Sequence, residues 1–289
     1  MKKTKVDAEK RGTPEGDMLP EGTSVIRDIE YKNAGGIKLM MNIYSCGGSG
    51  KRLPLIMYMH GRGWTNGDRT SCRRAVFLQK NGFTLASIDY RLTDSATFPA
   101  QLEDCKAAVR FLRANREKYD LDTERIGVCG HSAGGHLASL LGTTGENSGF
   151  DRGDNLNFSS QVQAVCNFYG PGSMTGLIKS ARLTGAFDTV QVAEKLIGGP
   201  LEEKEEIAEK ASPVRYVHTN AAPFLIIHGD KDASVDVSIS KSFHKALLEA
   251  GIESHLHIVR GGAHGGNLLE TPEIEEKVVS FFNRHIGQR

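Results

Sequence analysis

Residues 125–141 read Arg125-Ile-Gly-Val-Cys-Gly-His-Ser-Ala-Gly-Gly-His-Leu-Ala-Ser-Leu-Leu141. The run Arg125 to Cys129 has the length and apolar character of a buried strand, and Gly135 to Leu141 reads as the start of a helix. The chain must therefore turn sharply at Gly130-His-Ser-Ala-Gly134. Such a turn leaves no room for side chains beside it, so glycines flank a Ser132 with a strained backbone and an exposed hydroxyl, a candidate nucleophile. In a chain with 33 glycines the five-residue string alone is a weak signal. Its strand–turn–helix setting gives it weight.

Upstream, Ser24 to Tyr31 and Ile37 to Tyr44 read as two strands joined by the turn Asn33-Ala-Gly-Gly36, a hairpin signal. Further short apolar runs follow at Leu55 to Met59, Thr84 to Ile88, Val162 to Phe168, Phe224 to Ile227 and His255 to Val259. Helix-like segments separate most of them. Gln101 to Lys118 places Leu102, Cys105, Val109 and Leu112 on one face, Asp236 to Ala250 ends at Gly251, and Glu273 to Ile286 closes the chain. The alternation predicts an α/β protein with a mainly parallel sheet flanked by helices. Residues 1–22, charged and rich in Gly and Pro, read as a flexible N-terminal arm, and 23–289 as one domain. The less regular stretch between Pro171 and Pro213 contains a candidate partial lid at 172–210. Its charged run Glu202-Glu-Lys-Glu-Glu206 reads as a solvated helix face.

Composition narrows the functions. The chain has 289 residues, 39% hydrophobic and 25% charged, enough for a sizeable buried core. Lys plus Arg number 36 against 35 Asp plus Glu, a formal charge of +1, which offers nothing to a nucleic acid. No stretch reaches the roughly 18 consecutive apolar residues of a membrane span, and no apolar segment follows the basic start as in a secretory signal, so a cytoplasmic location is expected. The five cysteines are odd in number and scattered, which favours buried reduced thiols. Neither a cofactor nor a metal site is expected; His131 and His136 do not match the His-Glu-x-x-His spacing of zinc sites. A homo-oligomer is left open.

A serine hydroxyl needs a base within hydrogen-bond reach and a carboxylate to hold that base in the right tautomer. Ten histidines compete. His264 is preferred because Gly261-Gly-Ala-His-Gly-Gly266 follows the last strand, where a glycine-rich loop brings an imidazole across the top of the sheet. His255 and His257 alternate along a strand, and His131 and His136 are fixed beside the turn. For the acid, Phe224-Leu-Ile-Ile-His-Gly-Asp-Lys-Asp232 is a strand entering a polar loop. Asp232 has the reach to curl back to the histidine, whereas Asp230 suits the turn itself. The order Ser132, Asp232, His264 is that of α/β hydrolases. Acyl transfer also needs donors for the developing oxyanion. Met59-His-Gly-Arg-Gly-Trp64, at a strand end, suits that role, together with the amide of Ala133. Trp64 either lines the site or packs the loop down.

These strings resemble a known family, the α/β-hydrolase esterases with a His-Gly-Gly-x-Trp-like oxyanion loop related to hormone-sensitive-lipase-like enzymes. Within it they are similar to the bacterial group named for bifunctional feruloyl and acetyl xylan esterases. The likeness runs from about Ile29 to Phe282 and includes Asp89-Tyr-Arg-Leu92, Phe98-Pro-Ala-Gln-Leu-Glu-Asp104, Ser212-Pro-Val214 and His228-Gly-Asp-Lys-Asp232. The resemblance implies an eight-stranded α/β-hydrolase fold and a cofactor-independent serine esterase. Ser132 is then nucleophile, Asp232 orienting acid and His264 base, with the amides of Arg62, Gly63 and Ala133 as oxyanion hole. It implies short acyl or hydroxycinnamoyl esters, on small molecules or plant oligosaccharides, as substrates. Two departures stand out: Arg62 occupies a position where the family usually has glycine, and Asp232-Ala-Ser-Val-Asp236 replaces a proline-containing loop. An amide or peptide hydrolase with the same triad, and a non-enzymatic ligand-binding relative, are the competing readings.

Overall fold

In the computed structural model, residues 19, 22–46, 52–145 and 149–287 are described, so the expected N-terminal arm lies almost wholly outside the described residues. The chain runs β1 (Thr23–Ala34), β2 (Ile37–Cys46), β3 (Pro54–Met59), α1 (Val76–Lys80), β4 (Thr84–Ile88), α2 (Ala100–Ala114), α3 (Arg116–Tyr119), β5 (Asp122–His131) and α4 (Ala133–Thr144). It continues with β6 (Ala164–Phe168), α5 (Met174–Thr184), α6 (Phe187–Ile197), α7 (Leu201–Lys210), β7 (Phe224–Gly229), α8 (Val237–Glu249), β8 (Ser254–Val259) and α9 (Pro272–Ile286). The strands form one eight-stranded sheet in the order β1-β2-β4-β3-β5-β6-β7-β8. The β1–β2 hairpin and the β2–β4 pair are antiparallel; every pair from β4 to β8 is parallel.

The parallel strands read as continuous apolar runs because both faces are covered. Along β3, Leu55, Met57 and Met59 point into a core shared with α2, α4 and α8, while Ile56 and Tyr58 point into a second core under α1 and α9. Burying each such aliphatic or aromatic side chain is worth about 1.5–3 kcal/mol over leaving it in water. From β3 the chain winds outward to β4, then crosses back through α2 to β5 and winds the other way. The ends of β3 and β5 therefore lie side by side where the winding reverses, the place where such sheets open a crevice.

Two segments depart from the expected elements. The helix expected over 101–118 breaks at Asn115, whose side-chain amide donates to the Phe111 carbonyl (2.9 Å) and competes with the helical ladder. The irregular stretch 172–210 is three short helices, α5 to α7, separated by Gly185 and by Gly198-Gly199-Pro200. Each is too short for periodicity to reveal and is held by packing of Leu177, Ile178, Ala193, Leu196, Leu201 and Ala208 into the first core. The acidic run lies on the exposed side of α7, where Glu202 pairs with Arg182 and Glu206 with Lys210.

Candidate active site

Ser132 sits where β5 hands over to α4, at φ 55° and ψ −117°, outside the regions a serine normally occupies. Such a conformation costs on the order of 1–3 kcal/mol and persists only where its surroundings enforce it. Here the Ser132 amide donates to the Phe168 carbonyl (2.8 Å), and the Ser132 carbonyl accepts from the His136 amide (2.9 Å). The flanking glycines are obligatory for close approach: a Cβ on Gly134 would lie 2.0 Å from the Met59 carbonyl oxygen, and one on Gly130 would lie 2.4 Å from Gly134. The tight turn thus presses the start of α4 against the end of β3.

The structure brings the three expected side chains together. Ser132 Oγ is 2.8 Å from His264 Nε2, and His264 Nδ1 is 2.7 Å from Asp232 Oδ2. The Asp232 side chain is fully buried, whereas that of His264 keeps a quarter of its surface exposed. Burial by itself pushes the Asp232 carboxyl upward. Hydrogen bonds from His228 and His264, the His264 charge and the Val235 amide outweigh it and hold the group well below the usual carboxylate range. The amides of Ser234 and Val235 both donate to Oδ1 at 2.8 Å. Asp230 serves the turn, accepting the Gly261 amide at 2.7 Å.

The loop after β3 lies against the nucleophile turn, since a Cβ on Gly61 would come within 2.7 Å of the His131 carbonyl oxygen and 3.6 Å of Ser132 Cβ. Arg62, Gly63 and Trp64 follow at φ 74°, 61° and 58°. Among the described residues, the amides of Arg62, Gly63 and Ala133 have no hydrogen-bond acceptor. Arg62 and Gly63 line the same cleft as Ser132 and His264, and Ala133 is the first residue of α4. Trp64 is buried with its ring edge against His136 at 5.2 Å and also borders the cleft, so it both packs the loop and lines the site. The cleft has a volume of about 740 Å³ and takes Leu177 from α5 and Asp188, Thr189 and Val192 from α6 as a wall.

His131 and His136, beside the nucleophile turn, are otherwise engaged. Burial lowers His131 to about 3 and His136 to about 4, so both are neutral; His131 stacks on Phe168 at 4.2 Å and His136 bonds the Ala211 carbonyl at 2.6 Å. His255 pairs with Glu253 on the surface. Among the described residues, no group of three His, Cys, Asp or Glu side chains is arranged to hold a metal ion. Sequence reasoning missed His228, whose buried Nε2 lies 3.2 Å from Asp232 Oδ2, although it stands only four positions before that carboxylate at a strand end. It also missed Arg74 and Tyr169, which carry no motif.

A strained serine at a strand–turn–helix, a histidine and a buried carboxylate at the carboxyl edge of this sheet define an α/β hydrolase. The chain belongs to the BD-FAE family, whose profile matches residues 41–247. It is 31% identical over 242 residues to the esterase LipC of Mycobacterium tuberculosis, covering 81% of this chain and 59% of that protein. Across the first three curated relatives it matches, the chain spans 45% to 59% of their length. Among solved structures, a truncated carbohydrate esterase from gut microbiota superposes with a TM-score of 0.82 at 26% identity, over 93% of this chain and 99% of that one. The acetyl ester-xyloside bifunctional hydrolase of Caldicellulosiruptor lactoaceticus gives 0.75 at 26%, over 92% and 97%.

Proposed function

We propose that this protein is a serine carboxylesterase working through an acyl-enzyme on Ser132. The observation that carries the reading is the 2.8 Å contact between Ser132 Oγ and His264 Nε2, at a cleft bordered by amides without acceptors. Ser132 Oγ attacks the ester carbonyl as His264 Nε2 takes its proton. Asp232 accepts a hydrogen bond from Nδ1–H, fixes the tautomer and balances the imidazolium that forms. The amides of Arg62, Gly63 and Ala133 receive the oxyanion, each such donor being worth about a hundredfold to a thousandfold in turnover. The imidazolium then protonates the departing alcohol, and a water activated by the same histidine clears the acyl group.

The substrates we infer are acetyl or hydroxycinnamoyl (feruloyl) esters, including those on plant oligosaccharides. This reading is supported by structural relatives named for carbohydrate and acetyl ester-xyloside substrates. It is also supported by a cleft with room for a sugar as well as an acyl group, edged by Thr70, Ser71, Arg73, Asp188 and Ser234. Helices α5 and α6 act as its partial lid. The test is a hydrolysis profile over p-nitrophenyl acyl esters, methyl ferulate, acetylated xylan and a formyl amide, paired with fluorophosphonate labelling. Wild type is labelled at Ser132 and prefers esters, and Ser132→Ala loses about 10⁴-fold or more in kcat. Undiminished ester hydrolysis by that variant overturns the mechanism.

A further inference from the structure

Arg74, which no motif marks, is joined to the histidine loop from two directions. Its Nη1 donates to the Tyr169 hydroxyl at 2.7 Å, and its Nε pairs with Glu270 Oε1 at 2.7 Å. Tyr169 follows β6, is buried, and donates its amide hydrogen to the Ile227 carbonyl (2.8 Å). Its ring meets the His264 ring edge-on, with centroids 4.8 Å apart. Glu270 lies six positions beyond His264, at the end of the 3-10 turn Asn267–Leu269, and takes a second contact from Arg73 at 3.3 Å. The loop is packed directly on this pair: a Cβ on Gly265 would sit 3.2 Å from both Arg74 Nη1 and the Tyr169 hydroxyl.

The two halves of the histidine loop are therefore fixed by different means. Before His264, the Gly261 amide donates to Asp230 Oδ1 (2.7 Å) and the Lys231 amide to the Gly262 carbonyl (2.8 Å), tying it to the β7 loop. After His264, the restraint comes from Arg74 and Arg73 on Glu270 and from Leu269 buried in the second core. A glycine-rich loop has little stiffness of its own, and a base displaced by 1 Å can cost a hundredfold in rate. The planar guanidinium reaches a phenol and a carboxylate together in one fixed geometry, which the point charge of a lysine does not reproduce.

We infer that Arg74 is a positioning residue: by bridging Tyr169 and Glu270 it holds His264 in register with Ser132. The inference rests on Ser132 and His264 being the reacting pair. Arg74 borders the cleft, so direct binding of substrate is the competing role.

The experiment compares wild type with Arg74→Met, Arg74→Lys and Tyr169→Phe on p-nitrophenyl acetate, with thermal unfolding of each. Arg74→Met is expected to lower kcat by about tenfold to a hundredfold with KM nearly unchanged. Tyr169→Phe should lose less, and the double variant less than the product of the two, since both break one chain of contacts. Arg74→Lys should recover only part of the loss, and added guanidinium should restore kcat in an Arg74→Gly variant. A rise in KM with kcat kept, or unchanged kinetics in folded Arg74→Met, overturns the positioning role. Should Arg74→Met fail to fold, Tyr169→Phe and guanidinium rescue decide the matter. Loss of fluorophosphonate labelling in wild type refutes the esterase reading instead, so the two failures are told apart.

Discussion

Two aspartates, Asp104 and Asp232, have fully buried side chains, yet their surroundings differ in kind. Asp104, on α2, is met by permanent cations: Lys32 at 2.5 Å from β1 and Arg91 at 2.8 and 2.9 Å through two guanidinium nitrogens. Asp232 is met by two backbone amides and two imidazoles. The first arrangement is saturated with charge and locks a helix to a strand and a loop. The second leaves a carboxylate stabilised by dipoles, with its negative charge not matched by a permanent cation. Burial alone does not make an acid functional; the charge state of its partners does.

The most severe test of that contrast is Asp232→Asn. The amide preserves the shape but offers His264 the wrong partner, so kcat should fall by about 10⁴-fold while the folded structure is retained; steady-state kinetics and circular dichroism check both parts. Asp104→Asn should do the reverse. Its partners Lys32 and Arg91 keep only 13% and 17% of their side-chain surface exposed, so stranding them should cost about 3 kcal/mol in urea unfolding, with kcat of the folded enzyme preserved.

Low pH acts on the Asp232 carboxylate directly. Because the folded state depresses the Asp232 pKa, its ionised form stabilises the fold. That contribution is present above the unfolded value of about 4 and is lost as the pH falls below it toward the folded value. The stability gap between wild type and Asp232→Asn, measured by urea midpoints, should therefore be larger at pH 7 than at pH 3. The smallest effect concerns strain. Ser132 at φ 55° is held by the tight strand-to-helix turn, while Arg62 at φ 74° carries a conformation that glycine adopts freely. Arg62→Gly should raise stability by about 0.5–1 kcal/mol, read as a higher Tm.

Much of this was legible along the chain. The strands were readable because sheet burial on both faces leaves uninterrupted apolar runs between turn residues, as at Leu55 to Met59 and Phe224 to Ile227. Ser132, Asp232 and His264 were readable because each stands in a loop just after a strand, where the order of elements already dictates the place. Helices α5 to α7 were not, since each spans only 10 or 11 residues and depends on packing. His228 was quoted within a string, but its approach to Asp232, at 3.2 Å, follows from how the strand end curls.

The class of fold and the three candidate triad residues could be read along the chain, because periodicity and turn chemistry are local properties. How those side chains are aimed follows from packing between segments far apart in the chain. Arg74, Tyr169 and Glu270 come from three distant segments and meet only once the sheet has closed. Whether a buried carboxylate such as Asp104 or Asp232 is a lock or a working acid depends on those meetings, since electrostatics acts through space and not along the chain.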